Sequence, residues 1–144
     1  MGTPSTTSEP KTISVKIEHK VSLDKIANLI CSAFEGGSNY WYEITEFVKP
    51  KTITFMVDQD IDPEAKPYAH IDYPLNEGGA VMVRDTEDED SEPKRLDLES
   101  IQKGLKIMAK KYPRHMNDLL NENDDAETGD VFLQCCLFGE VIFG

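Results

Sequence analysis

The sequence contains no stretch of the roughly 18 apolar residues that a membrane-spanning helix needs. Its first residues, MGTPSTTSEPKT, lack the apolar segment of a secretory signal peptide. Cysteine is scarce: the chain has three, and a disulfide between the adjacent Cys135 and Cys136 would be strained. These absences predict a cytoplasmic protein with reduced thiols and no membrane contact.

Motifs that mark common enzyme classes are also missing. The chain has no GxGxxG or GxxxxGK[ST] nucleotide loop, no HExxH zinc helix, no GxSxG nucleophile turn and no CxxC pair. His19, His70 and His115 are scattered without the spacing of metal ligands. The sequence therefore predicts no cofactor and no metal site, and it favours a binding protein over an enzyme.

Positive charge is in short supply. Fifteen Lys and Arg face 27 Asp and Glu, a formal net charge of −12, which argues against binding duplex nucleic acid through a basic face. Eleven of the acids fall in two segments, DTEDEDSE at 85–92 and NENDDAETGD at 121–130. Dense like charge predicts two solvated loops near 85–93 and 121–130. The alternative is a surface that imitates the phosphate row of DNA.

The length and patterning of the chain predict one α+β domain. With 144 residues, 39% of them hydrophobic, the chain can fill one core. Residues 1–11 read as a disordered tail and 12–144 as the domain. Apolar alternation and β-branched or aromatic runs predict a mostly antiparallel sheet with helices packed on one face. Its strands are expected at 13–19, 40–48, 51–58 and 80–84, with a short extended piece at Ala69–Tyr73.

Two helices are marked by their ends. Ser22 can cap the first, and the glycines at 36–37 can stop it. Asp97 can cap the second, which carries Leu98 on its predicted buried face, and Pro113 lies just past its end.

The C-terminal third is expected to be helical as well. A short helix is expected over 114–120. Thr128 is predicted to cap a further, almost wholly apolar helix that ends at Gly139, with EVIFG returning as a strand. This apolar helix is predicted to be a core element, and a subunit interface remains open beside that interpretation.

The helix-to-strand junction at 35–42 combines groups that suit ligand binding. Its glycines let backbone amides approach a ligand, its small polar groups offer donors and acceptors, and its aromatic rings can stack on a base. The alternative is structural: the glycines end the helix and Trp41 is a core residue. The predicted ligand-binding residues are Glu35, Gly36, Gly37, Ser38, Asn39, Tyr40, Trp41 and Tyr42.

Two blocks of the chain, CSAFEGGSNYWYEI at 31–44 and DAETGDVFLQCCLFGEVIFG at 125–144, resemble a family of small phage and prophage proteins. That family carries an EGGSNYW-type motif and an LFGE-type C-terminus. The resemblance implies that Glu35 to Trp41 and the Asp130 to Gly144 tail lie together, and it implies a phage origin but no mechanism. Small acidic phage proteins often counter host defence by binding something, so we expect that role here. The chain is also similar to anti-Thoeris sponge proteins, which hold cyclic ADP-ribose-like signals.

The sequence-based hypothesis is therefore a non-enzymatic, homo-oligomeric protein that sequesters a small nucleotide-derived signal at the 36–42 junction. An anionic ligand needs cations, and the predicted contacts are Arg84, Lys94, Arg95 and Arg114. The alternative is an acidic protein–protein inhibitor or DNA mimic that acts on a host nuclease or another host defence protein. A phosphodiester-cleaving enzyme without a known motif is the third hypothesis.

Overall fold

The computed structural model describes residues 11–59 and 61–144, which form a small α+β fold with an antiparallel sheet, as predicted. The α-helices of this part of the chain are α1 (Leu23–Ser32), α2 (Ala69–Asp72), α3 (Leu98–Lys111), α4 (Pro113–Leu120) and α5 (Ala126–Phe138). The strands are β1 (Tyr42–Val48), β2 (Ala80–Asp85) and β3 (Lys94–Leu96). A π-helical turn (Ala33–Gly37) extends α1, and a 3₁₀ turn (Tyr73–Leu75) extends α2.

The centre of the fold is α5, whose residues from Thr128 to Leu137 are all buried. Helices α1 and α3 and the π-helical turn pack around it. Glycine makes this close packing possible, because a Cβ on Gly129 would lie 2.9 Å from the backbone nitrogen of Ala33, and one on Gly104 would lie 2.7 Å from the Cα of Cys136. The apolar C-terminal helix is thus a core element.

The helices begin and end largely where the sequence marks them. The Ser22 hydroxyl accepts from the Lys25 amide at 3.2 Å, and Asp97 accepts from the Ser100 amide at 2.9 Å. At α5 the predicted cap is displaced by one turn. Asp125 is the N-cap, and Thr128 completes its capping box by bonding back to the Asp125 amide.

The prediction that Leu98 lies on the buried face of α3 is wrong, and the predicted end of α5 is confirmed. Leu98 is 39% exposed, because it lies in the first turn of α3, ahead of the buried face that includes Ile101 and Met108. Gly139 ends α5 in the left-handed conformation (φ 76°), as predicted.

The sheet has the order β1-β2-β3, with both pairs antiparallel. The strands predicted at 40–48 and 80–84 are present as β1 and β2. A bulge between Ile44 and Glu46 interrupts the pairing of β1 with β2. Val81 and Val83 turn one face of the sheet toward the core, where they are 0% and 1% exposed.

Two of the predicted strands are wrong. No strand forms at 13–19, where every residue is exposed and no other strand lies alongside. Residues 51–58 also form no strand, because side chains replace the partner strand there. The Asn76 carboxamide accepts from the amides of Thr54 and Phe55, at 2.7 and 3.0 Å, and Asp72 accepts from Val57 at 3.0 Å.

Two further segments differ from the prediction. Ala69–Tyr73, expected to be extended, is helical, since Asp72 reaches back to accept from the Tyr68 amide at 2.8 Å. The EVIFG tail makes no strand. Its amides at Ile142 and Phe143 instead donate to the Gln134 carboxamide oxygen, both at 2.8 Å.

The two acidic segments differ in structure. Residues 86–90 are exposed and without strand or helix, as expected for a solvated loop. The loop predicted near 121–130 is wrong in its second half, where α5 begins at Ala126 and Asp130 is only 8% exposed. The tail predicted at 1–11 lies, apart from Lys11, outside the described residues.

Candidate functional site

The predicted junction at 35–42 divides between the core and the surface. The π-helical turn fits tightly against α5, since a Cβ on Gly37 would lie 2.0 Å from the carbonyl oxygen of Ala126. Ser38 and Trp41 are 0% exposed. Glu35, Gly36, Asn39 and Tyr40 are exposed. The eight residues therefore do not line one pocket.

The buried half of the junction surrounds the carboxylate of Asp130. One carboxylate oxygen, Oδ1, accepts from the Ser38 hydroxyl at 2.7 Å and from the Trp41 indole nitrogen at 2.8 Å. The Tyr40 hydroxyl donates to Oδ2 at 2.7 Å, and the Gln134 amide donates to Oδ1 at 3.1 Å. The structure thus brings the junction and the C-terminal block together.

Trp41 is a core residue in this arrangement. The ring of Phe143 stacks on its indole, with centroids 5.2 Å apart and planes 17° apart, and Phe138 lies 5.4 Å away. The C-terminal tail thus occupies the position predicted for a stacked base. The Tyr42 hydroxyl donates to the carbonyl of Phe34. Burial, followed by the hydrogen bond to Asp130, raises the pKa of Tyr40 to about 12, so its phenol stays neutral.

The four predicted anion contacts do not meet at the junction. Arg84 donates to Glu43 and to the carbonyls of Asp88 and Glu89, at 3.2 and 3.5 Å for the two carbonyls. Arg95 pairs with its neighbour Asp97 at 2.8 Å. Lys94 and Arg114 are exposed on β3 and α4.

A surface cleft of about 290 Å³ adjoins the exposed half of the junction, between α1 and the segments at 57–58 and 68–71. We call it the α1 cleft. Its apolar floor is formed by Ala27, Val57 and Ile71, and its polar lining by Asn28, Cys31, Glu35, Asp58 and Tyr68. Residues 27, 31 and 35 share one side of α1 and the π-helical turn. Such π-helical turns are rare in proteins, and those that are found often lie at functional sites.

The carboxylate of Glu35 is held in the cleft by two side-chain partners. Its Oε2 accepts from the Cys31 thiol at 3.1 Å and lies 3.1 Å from Nε2 of His70. The hydrogen bond from His70, followed by that from Cys31, lowers the pKa of Glu35, so the side chain is an anion at neutral pH. Within the described chain no donor reaches the other oxygen, Oε1, which leaves it free for a ligand.

Two other titratable groups of the cleft, Cys31 and Tyr68, are neutral donors. Burial, followed by the neighbouring Glu35, raises the pKa of Cys31 to about 11, so Cys31 is a thiol and not a nucleophilic thiolate. A hydrogen bond with Asp58 raises the pKa of Tyr68. The cleft therefore presents two carboxylates, and among the described residues no lysine or arginine lines it.

Sequence reasoning identified Glu35 but missed the other polar groups of the cleft. Cys31 carried one usable signal, since it lies four residues before Glu35 and therefore on the same helix face. Asp58 and Tyr68 gave no signal. Asp58 directly follows residues 54–57, which Asn76 and Asp72 hold by side-chain hydrogen bonds. Asp72 also accepts from the Tyr68 amide, so tertiary contacts place both residues.

Comparison with protein-family models, with curated proteins and with solved structures gave no significant match. No group of three or more His, Cys, Asp or Glu in the described part of the chain is arranged to hold a metal ion. None of its helices has the length and apolar character needed to cross a bilayer. The geometry of the site is therefore what bears on the function of this chain.

Proposed function

We propose that this protein is a binding protein whose α1 cleft receives a positively charged side chain, arginine or lysine, of a basic partner protein. The observation that carries the proposal is the ionised Glu35, whose Oε1 meets no donor of the described chain and which lines the same cleft as Asp58 and three apolar side chains. The floor can cover the aliphatic part of such a side chain, while the carboxylates accept its N–H groups.

The size and charge of the cleft support this class of ligand. Its volume of about 290 Å³ lies at the lower end of the roughly 300–1,000 Å³ of small-molecule pockets, which suits a group of side-chain size. The net charge of −12 adds a long-range attraction for a basic partner. This proposal develops the protein–protein alternative drawn from the sequence.

Sequestration of a nucleotide-derived signal stays a prediction, as do phage origin and a host target. The charges of the α1 cleft weigh against nucleotide binding there, since a phosphate would face Glu35 and Asp58, and no lysine or arginine is among the described residues of the lining. A nucleobase edge could still donate N–H groups to the carboxylates. Nucleotides are therefore titrated alongside the cationic compounds.

The direct test is calorimetric titration with N-acetyl-arginine methylamide and N-acetyl-lysine methylamide. Citrulline methylamide, equally acetylated, is the neutral isostere of arginine, and cyclic ADP-ribose and cyclic dinucleotides complete the panel. We expect both cationic compounds to bind and citrulline to bind at least about tenfold more weakly, because roughly 1.4 kcal/mol of charge-assisted bonding is lost.

Matched variants locate the binding. Glu35→Gln keeps the shape of the side chain and removes its charge, and it should weaken arginine binding by about tenfold, or roughly 1.4 kcal/mol. Glu140→Gln makes the same change in net charge at an exposed residue outside the lining of the cleft, and it should leave affinity unchanged within twofold. Equal binding of citrulline and arginine, or equal losses in both variants, would refute the proposal. Binding of a cyclic nucleotide alone would restore the signal-sequestration hypothesis.

A further inference from the structure

The segment before α1 exposes apolar side chains in a strand-like pattern. Ile13, Val15 and Ile17 are 90%, 75% and 73% exposed, while Ser14, Lys16 and Glu18 alternate with them. We call residues 13–17 the N-terminal segment. Strict alternation is the pattern of a strand with one buried face. The described chain supplies neither a partner strand nor a cover for that face.

The charge of this region is opposite to that of the whole protein. Residues 11–20 contain three lysines and one glutamate, a formal charge of +2 with His19 neutral, whereas the chain as a whole carries −12. A strand from this region would therefore be attracted to an acidic sheet edge.

The sheet offers two open edges, and only one of them fits. The β3 edge is three residues long, follows Pro93 and carries Lys94 and Arg95, so it would repel the lysines of the N-terminal segment. The β1 edge is seven residues long and has no lysine or arginine of its own. Of its two glutamates, Glu43 is paired with Arg84 of β2, whereas Glu46 makes no ion pair within the described structure.

Residues 11–59 and 61–144 also leave the β1 edge without apolar cover. Phe47 pairs with Val81 and so lies on the core-facing side of the sheet, yet it is 50% exposed, whereas Val81 is 0% exposed. A further strand beside β1 would place apolar side chains next to Phe47 and extend this face.

The N-terminal segment of one chain does not pair with its own β1. Ile17 and Val21 line a groove with Leu105 on α3 and Met116 on α4, so the chain enters the fold beside these helices. Helix α3 contacts β3, while β1 is the opposite outer strand, two spacings or about 10 Å from β3. The β1 edge of a second copy can approach the N-terminal segment from any direction.

We propose that the protein forms a two-fold symmetric dimer in which the N-terminal segment of each copy adds as a strand to the β1 edge of the other. The exchange buries both apolar segments and sets Lys16 against the acidic strand of the second copy. It is isologous and closes after two copies, since each copy gives one segment and receives one.

Light scattering during size-exclusion chromatography tests the proposal. We expect the wild-type protein to elute with twice the mass of the chain at about 100 µM. Replacing Ile13, Val15 and Ile17 together by Ser should give a monomer. Ile61→Ser, which removes an 84% exposed apolar side chain elsewhere, is the control and should leave the dimer intact.

A charge exchange identifies the docking edge. Lys16→Glu and Glu46→Lys should each weaken the homodimer at least tenfold, and an equimolar mixture should form a heterodimer visible by native mass spectrometry. Both contacts in that heterodimer join opposite charges. A monomeric wild type, a dimer that survives the triple Ser change, or a mixture in which no heterodimer forms would overturn the proposal.

Discussion

Asp130 shows how a single residue ties two distant parts of the chain together. Its carboxylate receives hydrogen bonds from Ser38, Tyr40, Trp41 and Gln134, none of which carries a positive charge. A buried carboxylate is tolerated when several donors replace the water it loses. The same donors would be left without an acceptor if the carboxylate were changed.

Asp130→Asn should therefore destabilise the fold by about 2–3 kcal/mol, because one acceptor becomes an amide donor that faces other donors. Urea denaturation measures the free energy of unfolding. The pKa of Tyr40, about 12 in the native protein, should also fall when the neighbouring charge is removed.

Asp118→Asn is the control for that change. Asp118 is only partly buried on α4, and in the described structure its side chain makes no hydrogen bond, so stability should change by less than about 0.5 kcal/mol. Equal stability of the two variants would show that the buried network contributes little.

Sequence patterns could not separate the residues of the junction into core and surface. Trp41 fits either a base-stacking role or a core role by composition, and the choice depends on Phe143, which is 102 positions away in the chain. Asp130 lies in a segment dense in acids, so its pattern predicted a solvated loop. Only tertiary packing of α5 against the junction distinguishes it from its neighbours.

At the scale of elements, the π-helical turn is what directs Glu35 toward the α1 cleft and Ser38 into the core. Two adjacent glycines within it have different surroundings. A Cβ on Gly37 would meet the backbone of Ala126 at 2.0 Å, whereas one on Gly36 would lie 3.9 Å from the Ala126 side chain. Neither glycine has a positive φ, so only packing distinguishes them.

Gly37→Ala should destabilise the protein by about 3 kcal/mol, because the turn and α5 must separate. Gly36→Ala should be neutral or stabilise it by less than about 1 kcal/mol, since alanine restricts the unfolded chain. Thermal unfolding of both variants gives the comparison. Similar melting temperatures for the two would show that the turn is not wedged against α5.

Helices were more predictable than strands because their signals are local. Ser22 and Asp97 cap the helices they were predicted to cap, and Gly139 ends α5 as expected. The pattern at 51–58 is strand-like, but Asn76 supplies the hydrogen bonds that a partner strand would provide. The pattern at 13–17 is equally strand-like, and its partner is not in the same chain under the dimer proposed here.

At the scale of the whole molecule, charge is distributed unevenly over the surface. The loop at 86–90 and the α1 cleft are acidic, whereas the region at 11–20 is basic. A basic ligand can therefore bind either in the α1 cleft or at an exposed acidic segment such as the loop at 86–90. Attraction to the exposed loop would be weak and strongly screened by salt, whereas a cleft with an apolar floor adds contacts that salt does not remove.

The measurement that separates these regions is a two-dimensional amide NMR titration with N-acetyl-arginine methylamide at about 0.15 M salt, where the Debye length is about 8 Å. We expect shifts concentrated at the amides of 27–35, 57–58 and 68–71, and we expect Glu35→Gln to abolish them. Shifts confined to 85–92, or an equal response to the citrulline compound, would contradict the assignment of the α1 cleft as a site for cationic side chains.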